Sequence, residues 1–441
     1  MKARIRGLAS HVRRFGLPII VTAAIFLPAF VAQSPLRDAA TGAPVTAVLR
    51  LPLWYSLLAP ISDLFDAITL LSVRQHSAVV ATLVTLYGAV RVWSRRRGSA
   101  PRPSVPLELS GVAALLAGVV ALNGAAAVIQ RPMAKLVLRS SDELAVDFHS
   151  HTNASQDARG AFTVGRNSAW HDAAGFDVVF ITDHMVSGAH IGSPSAAREA
   201  SGSRPVLLFG IERACHGSHF VILGDSTQIA AAPCGGPLEA DGESSIEGPE
   251  PASSAISILA LPDDGLHAGM HVDAQGIELV DAAPRGLDQL DQFRGVLLGT
   301  ADRSRVALVS GSNNHGWGRT VAAWNVMTIP GWRAMSRSEL ESAILQRFRT
   351  DPRNAVRVIE RRRAAAGASP VTLVLTGPSM AVNMARTMST IERIMWVAWI
   401  WWGCALAALV RHARRRLLVR GAPRVIRGLG FPAWQSAEPE T

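Results

Sequence analysis

Long apolar runs occupy the first 130 residues and a stretch near the C-terminus, whereas short apolar runs between polar residues fill the middle of the chain. About 17–25 apolar residues in a helix are enough to cross a bilayer. Four runs approach or reach this length. They predict transmembrane helices at about 15–33, 77–93, 109–129 and 394–410.

A fifth apolar run covers residues 51–73 and contains two acids, Asp63 and Asp66. Residues three apart share one helix face, and carboxylates at the centre of a bilayer cost several kcal/mol. The pattern therefore predicts an amphipathic helix on the membrane surface with its acids in water. A buried functional pair of acids is the alternative.

Basic residues cluster beside these runs, at 2–14, 91–102 and 411–427. Cytoplasmic loops of membrane proteins carry an excess of Lys and Arg. Four spans place all three clusters, including a basic tail at 411–441, in the cytoplasm. Residues from about 131 to 393 then lie on the other side. We therefore expect a multi-pass protein of the cell (inner) membrane, with the lipid bilayer as partner and an extracytoplasmic domain.

The net charge of +10 does not belong to that domain. Residues 141–375 contain 19 Arg, no Lys and 27 Asp or Glu, so their net charge is 19 − 27 = −8. A nucleic-acid-binding domain needs basic residues on its own surface. We expect no nucleic-acid partner.

Residues 142–376 alternate short β-rich runs with amphipathic stretches, the pattern of an α/β fold. A Gly-, Pro- and Ser-rich stretch at 230–254 predicts a long surface loop. Cys215 and Cys234 could pair in an oxidising compartment or remain free thiols, and the sequence leaves both open. The predicted strands are 144–148, 177–182, 206–211, 219–223, 256–261, 276–280 and 306–310; the predicted helices are 164–174, 195–200, 287–293 and 338–349.

Ten of the thirteen histidines lie in this domain, and several of them follow predicted strands together with acids. In α/β barrels the residues at carboxyl ends of strands form the active site. Imidazole and carboxylate ligands suit Zn, Mn or Fe. The candidate groups are Asp147-Phe148-His149-Ser150-His151-Thr152, Asp157, Ile181-Thr182-Asp183-His184, Gly210-Ile211-Glu212, Ser218-His219 and Ser312-Asn313-Asn314-His315.

These motifs resemble the PHP (polymerase and histidinol phosphatase) family over Val146–Gly316. Asp147–Thr152 and Gly175–His184 carry the resemblance most specifically, and 276–280 is similar to a later strand of the family. The resemblance implies a distorted (β/α)7 barrel, flanked here by the transmembrane helices, with a cleft for two or three metal ions.

Carried over residue by residue, the resemblance implies three sets of metal ligands. These are His149, His151 and Glu212; Glu212 with His219; and Asp157, His184 and His315. Two positions depart from the family. Asn313 stands where an Asp is usual, and Leu261-Pro262 stands where a His-Pro is common, with His267 or His271 as a substitute from the next loop. We therefore expect one to three divalent ions per chain.

Clustered divalent ions acidify bound water and neutralise charge on phosphoryl oxygens. The sequence thus predicts a metal-dependent hydrolase, foremost a phosphoesterase, acting on a small phosphorylated or envelope-derived substrate. Asp183 is expected to orient His184 or relay a proton, and Arg319 to hold a phosphate. The alternative is an extracytoplasmic sensor or scaffold that binds metal or ligand without turnover.

Overall fold

The computed structural model describes residues 16–97, 104–184, 205–215, 218–224, 245–247, 255–260, 271–318, 320–364 and 369–420. The chain forms two compact units. One is Ala24–Met395, and the other combines Met1–Ala23 with Trp396–Thr441. The first unit contains all the candidate site residues.

A mixed sheet of ten strands organises the large unit, in the order β1-β14-β13-β4-β5-β6-β7-β9-β11-β12. The pairs β4/β5, β5/β6, β9/β11 and β11/β12 are parallel, and the others are antiparallel. Its strands are β1 (Leu36–Asp38), β4 (Glu143–Asp147), β5 (Val178–Ile181), β6 (Val206–Cys215), β7 (Ser218–Leu223), β9 (Ile256–Ala260), β11 (Gly276–Asp281), β12 (Ala307–Gly311), β13 (Ala323–Thr328) and β14 (Arg357–Arg361).

Four shorter strands form two separate pairs, β2 (Val48–Arg50) with β3 (Lys135–Val137) and β8 (Ser245–Glu247) with β10 (His271–Asp273). The strand β8 lies within 230–254, where the sequence predicted only a loop. All seven predicted strands are present in the large sheet. The sequence missed β1, β13 and β14, because β1 and β14 are rich in charged residues and β13 carries an Asn in its centre.

The sheet curls so that its β12 edge returns to β4. The side chain of Asn325 on β13 makes this connection, since its Oδ1 accepts from Ser310 N at 2.6 Å and its Nδ2 donates to Ser310 O and Val146 O. Beyond the strands, Ser150 and Asn314 form a parallel bridge. The predicted α/β class is confirmed. The seven-stranded barrel is not, because the described strands form an open, ten-stranded half-barrel.

Helices pack on this sheet and fill its core. The ring of Phe348 on α8 (Arg337–Thr350) packs edge-on against that of Phe148, with ring centroids 5.3 Å apart, and the ring centroids of Phe148 and Phe180 of β5 are 5.7 Å apart. A capping box between Ser336 and Glu339 starts α8. The predicted helix 195–200 lies outside the described residues. The core helices are α6 (Val164–Ala174), α7 (Pro284–Ser304), α8 (Arg337–Thr350) and α9 (Pro352–Ala355).

Three helices of the described chain are long and apolar enough to cross a membrane: α4 (Val73–Arg96), α5 (Val105–Val128) and α11 (Thr390–Arg420). They correspond to three of the four predicted spans. The first predicted span is a shorter apolar helix, α1 (Gly16–Val31). One further helix, α10 (Pro370–Thr387), was not predicted and packs on α4, where Thr82 Oγ1 donates to Val374 O at 2.7 Å.

The run 51–73 forms two short helices, α2 (Leu53–Leu57) and α3 (Ala59–Thr69), and the prediction that its acids face water is wrong. Asp63 and Asp66 are 6% and 3% exposed. Asp66 pairs with Arg131 and with Arg361, at 3.1 Å in both cases. A buried carboxylate needs such partners to offset its desolvation. Ile61 and Leu64 of α3 are exposed instead.

Cys215 takes part in a disulfide, whereas Cys404 is free. The predicted partner, Cys234, lies outside the described residues. Disulfides are typical of oxidising compartments.

Candidate metal centre

The candidate residues converge where the curled sheet brings strand ends together. His149 and His151 follow β4, and His184 follows β5. Glu212 lies within β6 and is bridged to His184. The segment after β12 also reaches the end of β4, where Asn313 N donates to His149 O at 2.9 Å. Five polar residues therefore lie at one end of the half-barrel: His149, His151, His184, Glu212 and Asn313.

The buried floor of the site consists of His149, His151 and Glu212. Their side chains are 0%, 0% and 2% exposed. His149 Nε2 lies 3.0 Å from His151 Nε2, and Glu212 Oε2 lies 3.1 Å and 3.2 Å from these two nitrogens. Two ligands at the usual metal distances are roughly 2.9–3.5 Å apart in octahedral or tetrahedral geometry. The three atoms thus have the spacing of ligands to one ion.

The second nitrogen of each ring is already bound. His149 Nδ1 lies 2.8 Å from Glu278 Oε1, and His151 Nδ1 lies 2.9 Å from Ser155 Oγ. An Nδ1–H that donates to these oxygens leaves a lone pair on each Nε2. Two lone pairs facing each other at this distance repel unless a proton or a metal ion lies between them. The donor set therefore fits a divalent metal ion.

A second group of three ligands lies on the open side of the floor: His151, His184 and His315. Asp157 Oδ1 is 3.1 Å from His315 Nε2 and 3.6 Å from His184 Nε2. These side chains are more accessible, at 62% for Asp157, 30% for His184 and 15% for His315. The structure brings together the set that the resemblance assigned to one ion.

His219, at the start of β7, contacts the other oxygen of Glu212. Its Nδ1 is 2.6 Å from Glu212 Oε1, and its side chain is 42% exposed. All seven predicted metal ligands are thus linked through contacts to Glu212 or Asp157.

Asp183 does not orient His184 through its carboxylate. It accepts from Thr152 N at 2.6 Å, Thr152 Oγ1 at 2.7 Å and Ser155 Oγ at 2.8 Å. Since Ser155 gives its proton to Asp183, its oxygen accepts from His151. The role that this geometry supports is to position the loop of Asp157 and, through Ser155, the ring of His151.

Two further residues, Glu278 and Asp281, belong to the centre, and sequence reasoning assigned neither of them as a ligand. His149, Glu278 and Asp281 form a third buried group that could hold an ion. Glu278 and Asp281 both lie on β11, which the sequence compared with a family strand without weighing its acids. Gly311 faces this group, and a Cβ there would collide with Glu278 and with His149 Cβ. Glycine is required at this close approach.

Asn313, at the position of the usual Asp, donates from Nδ2 to Asp281 Oδ2 at 2.9 Å. Its backbone is left-handed, with φ 42°, which Asn tolerates better than most residues. Asn313 Oδ1 is buried without a hydrogen-bond partner among the described residues. Buried polar atoms rarely remain unpaired, so this oxygen also suits a bound cation.

The ionisable side chains in and beside the floor strongly affect one another's pKa values. Burial lowers the pKa of His149, but the carboxylates of Glu278 and Glu212 outweigh it and raise this pKa well above its usual range. Burial lowers the pKa of His151 to about 3. Burial opposes ionisation of Glu212, yet the neighbouring histidines hold its pKa far below the usual value. Burial, with the charge of Glu278, raises the pKa of Asp281 to about 7. Excess negative charge at this end favours a bound cation.

Three of the residues named from the sequence, Arg319, Leu261 and His267, lie outside the described residues. His271 is exposed on β10. It is not part of the three ligand groups found in the described chain.

No family model matches the sequence, and no curated protein matches it. The solved structures that are distantly similar include the following two. PsfC from Pseudomonas syringae PB-5123 shares 13% identity with a TM-score of 0.30, over 54% of this chain and 98% of its own. A proposed metal-dependent phosphoesterase from Bifidobacterium adolescentis shares 16% identity with a TM-score of 0.27, over 40% of this chain and 88% of its own. Likenesses this distant show nothing about the function of this chain.

Proposed function

We propose that the chain is a metal-dependent hydrolase, foremost a phosphoesterase, that acts at the extracytoplasmic face of a membrane. One observation carries this proposal. His149 and His151 direct their Nε2 atoms at each other across 3.0 Å while both Nδ1 atoms are bound elsewhere. Rings fixed in this way are ready to ligate a metal ion.

The candidate ligands form two groups, one in a buried floor and one at an open rim. His149, His151 and Glu212 would hold an ion in the floor, and Asp157, His184 and His315 would hold one at the rim. Divalent ions supply an acidified water molecule and positive charge opposite the phosphoryl oxygens. The accessible side chains at the rim leave room for substrate, whereas the floor excludes bulk water.

The remaining residues orient these ligands. Glu278 fixes the ring of His149, and Asp183 fixes His151 through Ser155. Partners of this kind raise the basicity of the ligand and set its tautomer. Their presence supports a built metal centre over a chance group of histidines.

The test uses the full chain in detergent, because β1 joins the sheet from outside residues 142–376. Bound metals are quantified, and a phosphomonoester and a phosphodiester are assayed with Mn or Zn. Glu212→Gln is the site variant, and His271→Gln, which removes an exposed histidine of the same domain, is the matched control. We expect one to three ions per chain, with hydrolysis retained by H271Q and lost by E212Q.

A folded protein that retains no metal would contradict the proposal. Metal binding without hydrolysis of either ester would favour the alternative, a sensor or scaffold domain. The observation behind that alternative is Asn313, whose neutral amide replaces a carboxylate ligand.

A further inference from the structure

The loop that follows His315 lies directly against the end of the apolar helix α5. Gly318 has φ +55°, and a Cβ there would lie 2.7 Å from Ala127 O. Arg131 joins the same two segments, donating to Ala126 O at 3.1 Å and to Gly318 O at 2.9 Å. The backbone of this loop and the last turn of α5 are therefore in contact.

The loop of Asp157 reaches the same point. Arg159 N donates to His315 O at 2.9 Å, and its guanidinium lies 3.3 Å from Gly316 O and 3.5 Å from Val128 O, the last residue of α5. Three residues of chain span at most roughly 10 Å, so His315 is no farther than that from Gly318. The rim of the candidate metal centre thus adjoins the end of α5.

The end of α5 marks a boundary between hydrocarbon and water. This helix is the most apolar of the three long ones, and the described parts of the protein bury none of its most apolar stretch. Val128 and Ile129 are about half exposed. A helix that is apolar on all sides and uncovered by protein requires lipid around it. The polar head-group layer beyond the hydrocarbon is about 5–8 Å thick.

The helix α3 is a second, independent indication of where the boundary between hydrocarbon and water lies. Ile61 and Leu64 on its outer face are 44% and 40% exposed, whereas Asp66 faces inward. Asp66 Oδ2 accepts from Thr320 Oγ1 at 3.3 Å, two residues beyond Gly318. An outward apolar face of this kind is stable against acyl chains rather than water.

Trp317 lies between the rim and these helices. It follows the ligand His315 by two residues, is 42% exposed, and has the Arg159 guanidinium 5.6 Å from its ring. Trp is enriched at membrane interfaces, and an arginine beside it can bind lipid phosphate. These are the residues expected at head-group depth.

We propose that the rim of the metal centre opens within the head-group layer and that its substrate is a phosphate ester of a membrane lipid. This inference rests on the proposed function. In the reaction, the oxygen of water bonds to phosphorus, the P–O bond to the ester oxygen breaks, and that oxygen takes a proton from the water. The lipid diffuses in the plane of the membrane to Asp157 and His315 without leaving the bilayer.

The depth is measured on the full chain in phospholipid vesicles. A spin label is attached to Trp317→Cys in a Cys404→Ala background, and its collisions with oxygen and with a water-soluble nickel chelate are compared. Ser338→Cys, exposed on α8, is the matched control. We expect the label at position 317 to show the oxygen and nickel accessibility of the lipid phosphate region. The label at position 338 should show the accessibility of bulk water. Equal, aqueous accessibility at both positions would overturn the inference, whatever the activity.

The substrate is tested with phosphatidic acid in vesicles against glycerol phosphate in solution, each with Mn or Zn. We expect hydrolysis of the lipid to be at least about tenfold faster at equal total phosphate, because the membrane concentrates it at the rim. Hydrolysis of glycerol phosphate at an equal or higher rate would overturn the lipid assignment and leave the phosphoesterase intact. Hydrolysis of neither by the metal-loaded protein would contradict the proposed function itself.

Discussion

His149 Nε2 and His151 Nε2 are 3.0 Å apart at the floor of the site, and Glu212 Oε2 is within 3.2 Å of both. In the metal-free protein this contact is stable only if a proton takes the place of the ion. We expect that stripping the metal with a chelator lowers the melting temperature. An ion at a hundredfold excess over its Kd adds about 2.7 kcal/mol to the free energy of unfolding. Thermal unfolding with and without metal checks this, and His149→Ala should show a smaller metal-dependent shift than the native protein.

Glu278→Gln tests the partner of His149. The amide can still accept from Nδ1, but it no longer carries the charge that increases the basicity of the ring. Loss of such a partner typically weakens metal binding about 10–100-fold. A competition titration against a fluorescent chelator measures the affinity. Glu339→Gln changes a carboxylate that caps α8 and should leave the affinity unaltered. Equal affinities in the two variants would exclude this role for Glu278.

Asn313→Asp restores the carboxylate that the family resemblance expects. In the metal-free protein it removes the hydrogen bond to Asp281 and places another negative charge beside Asp281 and Glu278. The metal-free variant should therefore unfold at a lower temperature than the native protein. With metal bound, the difference in unfolding temperature between the two proteins should shrink or change sign, because the ion gains a charged ligand. Calorimetric melting of both proteins in both states decides this, and an identical metal response would count against Asn313 as a neighbour of the ion.

The sequence predicted the residues at this site better than the sheet that holds them. Histidines and acids at strand ends are visible as local patterns, and all seven predicted ligands lie in one connected group. Glu278 and Asp281 were missed because a strand buried on both faces gives no alternation to single out its acids. Strand β13 was missed because Asn325, which weakens its apolar pattern, is satisfied only by long-range contacts to β12 and β4.

Asp183→Asn tests the positioning of the rim loop. Its carboxylate accepts three hydrogen bonds from Thr152 and Ser155, and an amide cannot accept all of them in the same geometry. We expect a loss of about 1–3 kcal/mol in the free energy of unfolding and weaker metal binding. The control is Asp172→Asn, at a surface pair with Lys135 that is worth at most about 1 kcal/mol. Urea unfolding compares the two, and equal losses would contradict the assignment.

Asp66→Asn tests the buried ion pairs beneath the apolar face of α3. The change leaves the guanidiniums of Arg131 and Arg361, with side chains 8% and 12% exposed, without their shared carboxylate. Removing one partner of a buried pair typically costs about 3–5 kcal/mol. Thermal unfolding in detergent should show a large drop. Asp302→Asn, at an exposed pair with Arg353, should show almost none, and a small effect of D66N would mean that water reaches this network.

The inverted polarity of α3 explains why the sequence misplaced its acids. Amphipathic patterns predict which residues share a face, and Asp63 and Asp66 do share one. Such patterns do not predict which face of the helix packs against the rest of the protein. Here the partners of Asp66 are Arg131 and Arg361, which are 65 and 295 residues away in sequence. No local pattern contains that information.

The three hydrogen bonds of Asn325 also set an order of events during synthesis. His149 leaves the ribosome long before Asn325, and until that residue has been made its amide cannot join Ser310 of β12 to Val146 of β4. The amide of Asn325 therefore links β12 to β4 late, after about three quarters of the polypeptide has been made. The complete candidate metal centre, with His315 and Asn313 in place, is therefore assembled at a late stage of folding.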